Sequence, residues 1–466
     1  MMQRYPPVIA LLLLLAAAPL LSQPGTTGSM ALVGGTLVDP RTGSTPNSSI
    51  VVRNGRVACA GTRASCPPPA GTRVVNVSGK FITPGLIDAH VHFSQTGWID
   101  GRPDALDLRG ELPYDSTVST LQQNPAPFDR AWLCSGVTAV FDVGGFPFTL
   151  PMARAHESAP MAPRMAAAGP LLTSRAHWLN LPFIQQFIPL SNDSVVRATV
   201  SGLKYMGASA IKVWYLQLGD SLQPRARAML MRTGDAARQA GLPLIVHATQ
   251  LPRAKEALAA GTKVLVHSVE TAEIDDEFIV AARRNGTIVI PTVTVREGYS
   301  DVGLGRSPNL RYPLECVDEV TRRKLERVLP EPMRARLAEA ARGETWRRQR
   351  GMIEVNLRRM RDAGIPVAMG TDAGNPGTAH GPSVYREMEA MQAAGMTARE
   401  VLLSATLIAA RAMGREADLG SLDAGKHADL VVFDADPSRD IANARKVAMV
   451  MRGGVLYQRS QLLPVR

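Results

Sequence analysis

Cysteine is scarce, with four residues in 466, too few for the disulfide framework that holds small secreted domains together. There is no Gly-rich phosphate loop and no basic patch interleaved with aromatics. Arg and Lys are instead spread along helical segments, so the net charge of +11 does not indicate nucleic acid; it would steer anionic surfaces or acidic substrates. Internal repeats are not evident. The apolar run Val8 to Leu21 is too short for a comfortable membrane span, and no cysteine sits beside it to accept a lipid.

What is present fits a large enzyme. The length exceeds the roughly 250 residues of a bare (β/α)8 barrel and leaves chain for a second small domain and an insertion. At 45% hydrophobic and 20% charged, the composition is that of an ordinary globular protein. Arg4 precedes the apolar run, and small and polar residues follow from Ser22 to Gly28. Residues 1–22 therefore read as an export signal and imply a periplasmic or secreted protein, with an uncleaved membrane anchor as the alternative. Cys59 and Cys66 lie close in a loop-like stretch and either pair in an oxidising compartment or remain free thiols, a matter of geometry. Cys134 and Cys316 lie far apart and carry no metal-site spacing.

Residues 31–83 alternate like short antiparallel strands, with turns at Asn54-Gly55 and Pro67-Pro68-Pro69. From Phe81 the pattern changes. Apolar strand candidates at 86–92, 137–143, 164–172, 210–214, 243–248, 264–269, 287–294 and 366–371 alternate with helical stretches such as 224–240, 274–285 and 344–363. This rhythm predicts an α/β fold, a (β/α)8 TIM barrel over 84–416, with a doubly wound sheet as the runner-up. After a helical region near 397–413, ADLVVFD and VAMVMRGGVLY return to strand character. They are expected to join the N-terminal strands, so that 31–83 plus 417–466 form a composite β-sandwich domain. The Arg-rich span 296–343 breaks the rhythm and reads either as an inserted helical lid over the catalytic mouth or as a solvated excursion.

The chemistry-bearing residues lie at or just beyond strand ends, in LIDAHVHF, AIKVW, LIVHAT, VLVHSV and VAMGTD. Residues i and i+2 of a strand share a face, so His90 and His92 can reach one cation. A single strand-end histidine is more often a hydrogen-bonded core residue than a ligand. The set His90, His92, Lys212, His247, His267 and Asp372, falling in barrel order, argues instead for a two-metal hydrolase.

FITPGLIDAHVHF, GTDAG and LGSLDAGKHADLVVFDADP resemble the motifs of the amidohydrolase superfamily, close to its imidazolonepropionase-like and Xaa-Pro-dipeptidase-like branch, from about Ala31 to the C-terminus. The resemblance implies that His90 and His92 bind the more buried of two divalent ions, expected to be Zn2+. It implies too that Lys212, carboxylated to a carbamate, bridges them, and that His247 and His267 hold the second. An unmodified lysine is a cation and a poor ligand, whereas a carbamate is an anionic oxygen donor suited to zinc. Asp372 is implied as both ligand and proton shuttle in attack by a metal-bridging hydroxide, since a metal lowers the pKa of bound water from about 15.7 to about 7.

His177, in LLTSRAHWLN, stands where relatives often polarise the substrate carbonyl, although the local pattern departs from theirs; a surface hydrogen-bonding role is the alternative. Tyr215 and His380 are candidates for holding substrate, against aromatic packing and a loop cap. His156 and His427 lie away from the chemistry. Single-metal deaminases and imidazolonepropionases of the superfamily lack the bridging lysine and commonly place a catalytic Glu soon after the fifth-strand histidine. HATQLPRAKE has no acid until Glu256. The resulting expectation is an exported zinc peptidase for a dipeptide, N-acyl amino acid or similar small amide, with homo-oligomerisation open. Lactone, ester or cyclic-amide hydrolysis, or a non-catalytic binding protein on the same fold, are the alternatives.

Overall fold

Short β-branched runs set the strands, and the residues that interrupt them set the breaks. The computed structural model describes residues 28–175, 179–342 and 344–464; the expected export signal and His177 lie outside these. Parallel strands Leu86–Val91, Val137–Asp142 and Arg164–Ala167 form one sheet. A second sheet runs in the order Phe187–Pro189, Leu171–Thr173, Ile211–Trp214, Leu244–His247, Val264–Val266 and Ile288–Ile290, again with parallel neighbours. Helices such as Asp193–Tyr205, Gln223–Ala240, Leu251–Ala259 and Asp276–Asn285 alternate with them.

Three expected strands are altered, each for a local reason. The run 164–172 splits at Gly169, whose φ of 68° is left-handed, and at Pro170, which has no N–H to donate. The run 287–294 stops at Ile290 because Pro291 follows and Thr292 turns to φ 45°. The run 366–371 forms no ladder. Pro366 lacks a donor, and the segment keeps a single bridge, Val289 to Val367. It is nonetheless bonded on both sides: the Ala368 N–H donates to Val289 O at 2.9 Å and the Ala89 N–H to Met369 O at 3.0 Å. In place of one closed eight-stranded sheet, the described residues thus form two parallel arcs, with residues 366–373 bonded between Leu86–Val91 and Ile288–Ile290. One buried cluster, including Ile87, Phe141, Ala166, Ile245, Val266, Ile290 and Ala368, draws on both arcs.

Asn54 and Gly55, with φ of 52° and 73°, make the turn between Ser48–Arg53 and Arg56–Thr62, as an Asn-Gly pair in a two-residue hairpin should. The six-stranded sheet beside it takes strands from both chain regions, in the order Val455–Gln458, Val447–Arg452, Leu430–Phe433, Phe81–Pro84, Thr36–Asp39 and Gly43–Thr45. Among the described residues no helix is long and apolar enough to cross a membrane.

Both cysteine pairs are bonded. Cys59 pairs with Cys66, and the fold brings Cys134 to Cys316 with Cα atoms 5.7 Å apart across 182 positions, a pairing that sequence distance concealed. The second bridge ties helix Ala126–Cys134 to the 296–343 segment. That segment is held as well by Lys324 Nζ on Asp100 at 2.8 Å and by the Tyr312 hydroxyl on Gly377 O at 2.8 Å. Closing so long a loop constrains the unfolded chain. Cys316→Ser is therefore expected to cost about 2–4 kcal/mol, read as a lower denaturant midpoint than wild type without reductant; an unchanged midpoint would remove the bridge from the stability argument.

Candidate metal centre

His90, His92, Lys212, His247, His267 and Asp372 all line one cavity of about 510 Å³. His90 Nε2 and His92 Nε2 lie 3.3 Å apart, and Asp372 Oδ1 sits 3.2 Å from the first and 3.0 Å from the second. His267 Nε2 is 4.0 Å from Asp372 Oδ2, and the His247 ring lies 4.5 Å from that of His267. His92 Nδ1 is bonded to Gly144 O at 2.6 Å and His267 Nδ1 to Thr292 Oγ1 at 2.6 Å. A carbonyl can only accept, so Nδ1 of His92 carries the proton and Nε2 keeps its lone pair for a cation.

Burial holds His90 down to about 4 and His247 and His267 well below the usual imidazole range, so all three are neutral near neutral pH and free to offer a lone pair. Burial alone would raise the Asp372 carboxyl, but His90 and His92 hold it well below its usual value. The ligand atoms of His90, His92 and Asp372 lie within 4.8 Å of one another. Asp372 Oδ1 and His90 Nδ1 are buried without a hydrogen bond. Imidazole nitrogens converging on a carboxylate oxygen that lacks a hydrogen-bond donor fit a divalent cation.

The surrounding backbone is built to hold these groups. Asp372 and His267 are left-handed, at φ 61° and 69°; such strain persists only where neighbours over-determine it. The Asp372 N–H donates to His90 O at 2.8 Å. The buried Asp88 carboxylate accepts from the Thr371 hydroxyl at 2.6 Å and from the N–H groups of His90 and Thr371. Glu387 accepts from the Val293 and Thr294 N–H groups and the Thr294 hydroxyl, fixing the loop that carries Thr292. Asp88 lies inside the quoted LIDAHVHF motif, but nothing in the sequence showed what it would hold.

The two substrate candidates lie elsewhere. Tyr215 does not line the cavity; its hydroxyl donates to Glu256 at 2.6 Å and accepts from Gln223. His380 is boxed by Phe93, Phe128 and Trp132, with Nε2 bonded to Gln95 O at 2.9 Å, and is absent from the lining too. Glu256 faces Tyr215 and Arg253. His156 is buried against Asp129 and His427 lies near Glu157. The cavity is walled instead by residues that sequence reasoning passed over: Trp214, Phe187, Glu270, Arg296, Tyr299 and Asn375. Helix Val295–Leu304 brings Arg296 and Tyr299, so the 296–343 segment forms part of the wall.

Imidazoles, a lysine and a carboxylate gathered where parallel strands end define a hydrolytic enzyme of α/β architecture. The chain belongs to the amidohydrolase family, whose model matches residues 81–456. The imidazolonepropionase of Rhizorhabdus wittichii is 26% identical over 419 residues, covering 83% of this chain and 88% of the relative. Among solved structures, a Xaa-Pro dipeptidase with bound methionine in the active site is 22% identical, with a TM-score of 0.68 over 92% of this chain and all of that one. Molinate hydrolase is 22% identical with a TM-score of 0.68, covering 94% of this chain and 97% of that one. At such identity these structures speak to the fold.

Proposed function

We propose that the chain is an exported, binuclear metal-dependent hydrolase cleaving the amide of a dipeptide, N-acyl amino acid or similar small molecule. Lys212 carries this reading: it is 3% exposed and lines the same cavity as four histidines and an aspartate. Burial pushes its ammonium down to about 7, so much of it is neutral amine near neutral pH. That form adds to CO2 and releases a proton to give the carbamate, an anionic ligand where an ammonium would repel cations.

Two divalent ions, when bound, supply an activated water and polarise the scissile carbonyl. The chain's own residues do the rest. His90, His92 and Asp372 would hold one ion, His247 and His267 the other, with carboxylated Lys212 shared between them. Asp372 accepts the proton of the attacking water and returns it to the departing amine, acting as base and then as acid. The imidazolonepropionase relatives favour a second reading, hydrolysis of a cyclic amide at a single ion; Lys212 in the cavity and Glu256 outside it speak for the first.

Elemental analysis of protein prepared without chelators and with bicarbonate is expected to find two zinc ions per chain, and a screen of dipeptides and N-acyl amino acids to find turnover. One ion at full occupancy, with turnover confined to cyclic amides, would overturn the first reading in favour of the second. Export is supported by the pairing of all four cysteines, since disulfides persist in oxidising compartments. Residues 1–30 fused to a reporter that works only outside the cytoplasm should give activity, and a silent fusion would count against export.

A further inference from the structure

Two arginines line the cavity, and their partners distinguish them. Arg102 is used on every side: Asp104 takes Nε and Nη2, each at 2.8 Å, and Asn375 takes Nη1. Its side chain is 19% exposed. Arg296 is held by one edge only. Its Nε donates to Glu270 Oε2 at 2.8 Å and its Nη2 to Oε1, and Nη1 has no hydrogen-bond partner among the described residues. The Arg296 side chain is 45% exposed while that of Glu270 is 8% exposed. Glu270 is itself fixed, three positions after His267, with its N–H on Thr249 O at 2.9 Å.

A guanidinium presents two forked edges, and a carboxylate can take either in bidentate fashion. Glu270 occupies the Nε–Nη2 edge and orients the plane, leaving the Nη1 end of a positioned cation for another anion. The strand order sets what lies across from it. Leu244–His247 runs between Ile211–Trp214 on one side and Val264–Val266, which leads to Glu270, on the other. Along this sheet an apolar group of Leu171, Phe187 and Trp214 therefore precedes His247, whose ring lies 6.0 Å from that of Trp214, and the Glu270–Arg296 pair follows His267. A substrate lying across the centre meets an apolar surface at one end and a guanidinium at the other.

We propose that Arg296, positioned by Glu270, anchors the free carboxylate of the substrate's departing amino acid, while the Trp214 wall receives an apolar acyl portion. This rests on the amide-hydrolase reading and narrows it. Acids are cleaved in preference to the matching C-terminal amides, because the amide is neutral and cannot take the fork through two anionic oxygens. The apolar end selects hydrophobic acyl groups.

The test uses the metal-loaded enzyme and matched pairs: hydrophobic dipeptides and N-acetyl amino acids with a free carboxylate, and the same compounds as C-terminal carboxamides. Wild type is expected to favour the acids by at least about ten-fold in kcat/KM, the scale of one charge-assisted contact. Arg296→Met should raise KM for the acids by a similar factor with kcat little altered, so that the preference collapses, while zinc content stays at the wild-type level. Arg296→Lys should recover part of it. Because Arg296→Met leaves Glu270 without its partner, the double variant Arg296→Met/Glu270→Gln removes both charges and keeps the test independent of a buried, unpaired carboxylate. Direct binding of the product amino acid, measured by calorimetry, should weaken in both variants. Equal cleavage of acids and amides by wild type overturns the anchor and leaves the hydrolase reading standing. A preference that survives in the double variant also overturns it. Cleavage of neither series overturns both.

Discussion

Asp372→Asn is expected to lower kcat by about a hundred-fold or more, the usual worth of a positioned general acid and base, while most of the metal is retained. The backbone at this position suits the substitution. Residue 372 is left-handed at φ 61°, a conformation in which asparagine is among the best tolerated side chains, and its N–H bond to His90 O does not involve the side chain. Asparagine keeps the size and one oxygen to place beside His90 and His92 but cannot carry a proton from water to amine. The loss should therefore fall on kcat rather than KM. Near-wild-type kcat in a metal-replete variant would confine Asp372 to ligation.

Lys212→Ala should remove metal and activity together. In the intact cavity Lys212 is fully desolvated, and its Cγ lies 3.5 Å from where a side chain on Gly144 would begin, so its stem is tightly bounded. Truncation leaves a slot beside the histidines with no anionic donor, and bound zinc is expected to fall to one ion or fewer per chain. Short carboxylic acids such as acetate or propionate should enter that slot and restore part of both metal content and turnover, because they supply two oxygens where the carbamate would. Full metal content in the alanine variant would show that the lysine is not a ligand.

The six residues gathered in the cavity were legible because strand periodicity is a local property. In LIDAHVHF the two-residue repeat set His90 and His92 on one face, and each other candidate lay at the end of a β-branched run. The same repeat could have corrected Tyr215: counting in twos from Lys212 leads to Trp214, which lines the cavity, whereas Tyr215 turns to Glu256. Other features carried no local signal. Glu270 lies in a loop and Arg296 in the first turn of helix Val295–Leu304, and Cys134 finds Cys316 only when the chain between them is folded. His380 stayed open between substrate and a loop cap, because the three aromatic rings that enclose it come from distant parts of the chain. The strand expected over 366–371 forms no ladder because Pro366 has no donor, the Met369 N–H goes to Ser404 O and the Thr371 N–H goes to the Asp88 side chain, partners that no apolar pattern reveals.

The sheet that joins Phe81–Pro84 to Leu430–Phe433, with Leu430 opposite Pro84 and Phe433 opposite Phe81, sets a condition on synthesis. A chain emerging from its N-terminus displays Phe81–Pro84 long before its partner exists, and throughout that interval it offers unpaired N–H and C=O groups to any passing strand. An early stop just before Ala428 would deliver every histidine, lysine and aspartate of the cavity yet leave this edge open. Such a product would be lost to aggregation and proteolysis before its missing chemistry could be noticed, so nonsense mutations late in the reading frame should behave as complete losses.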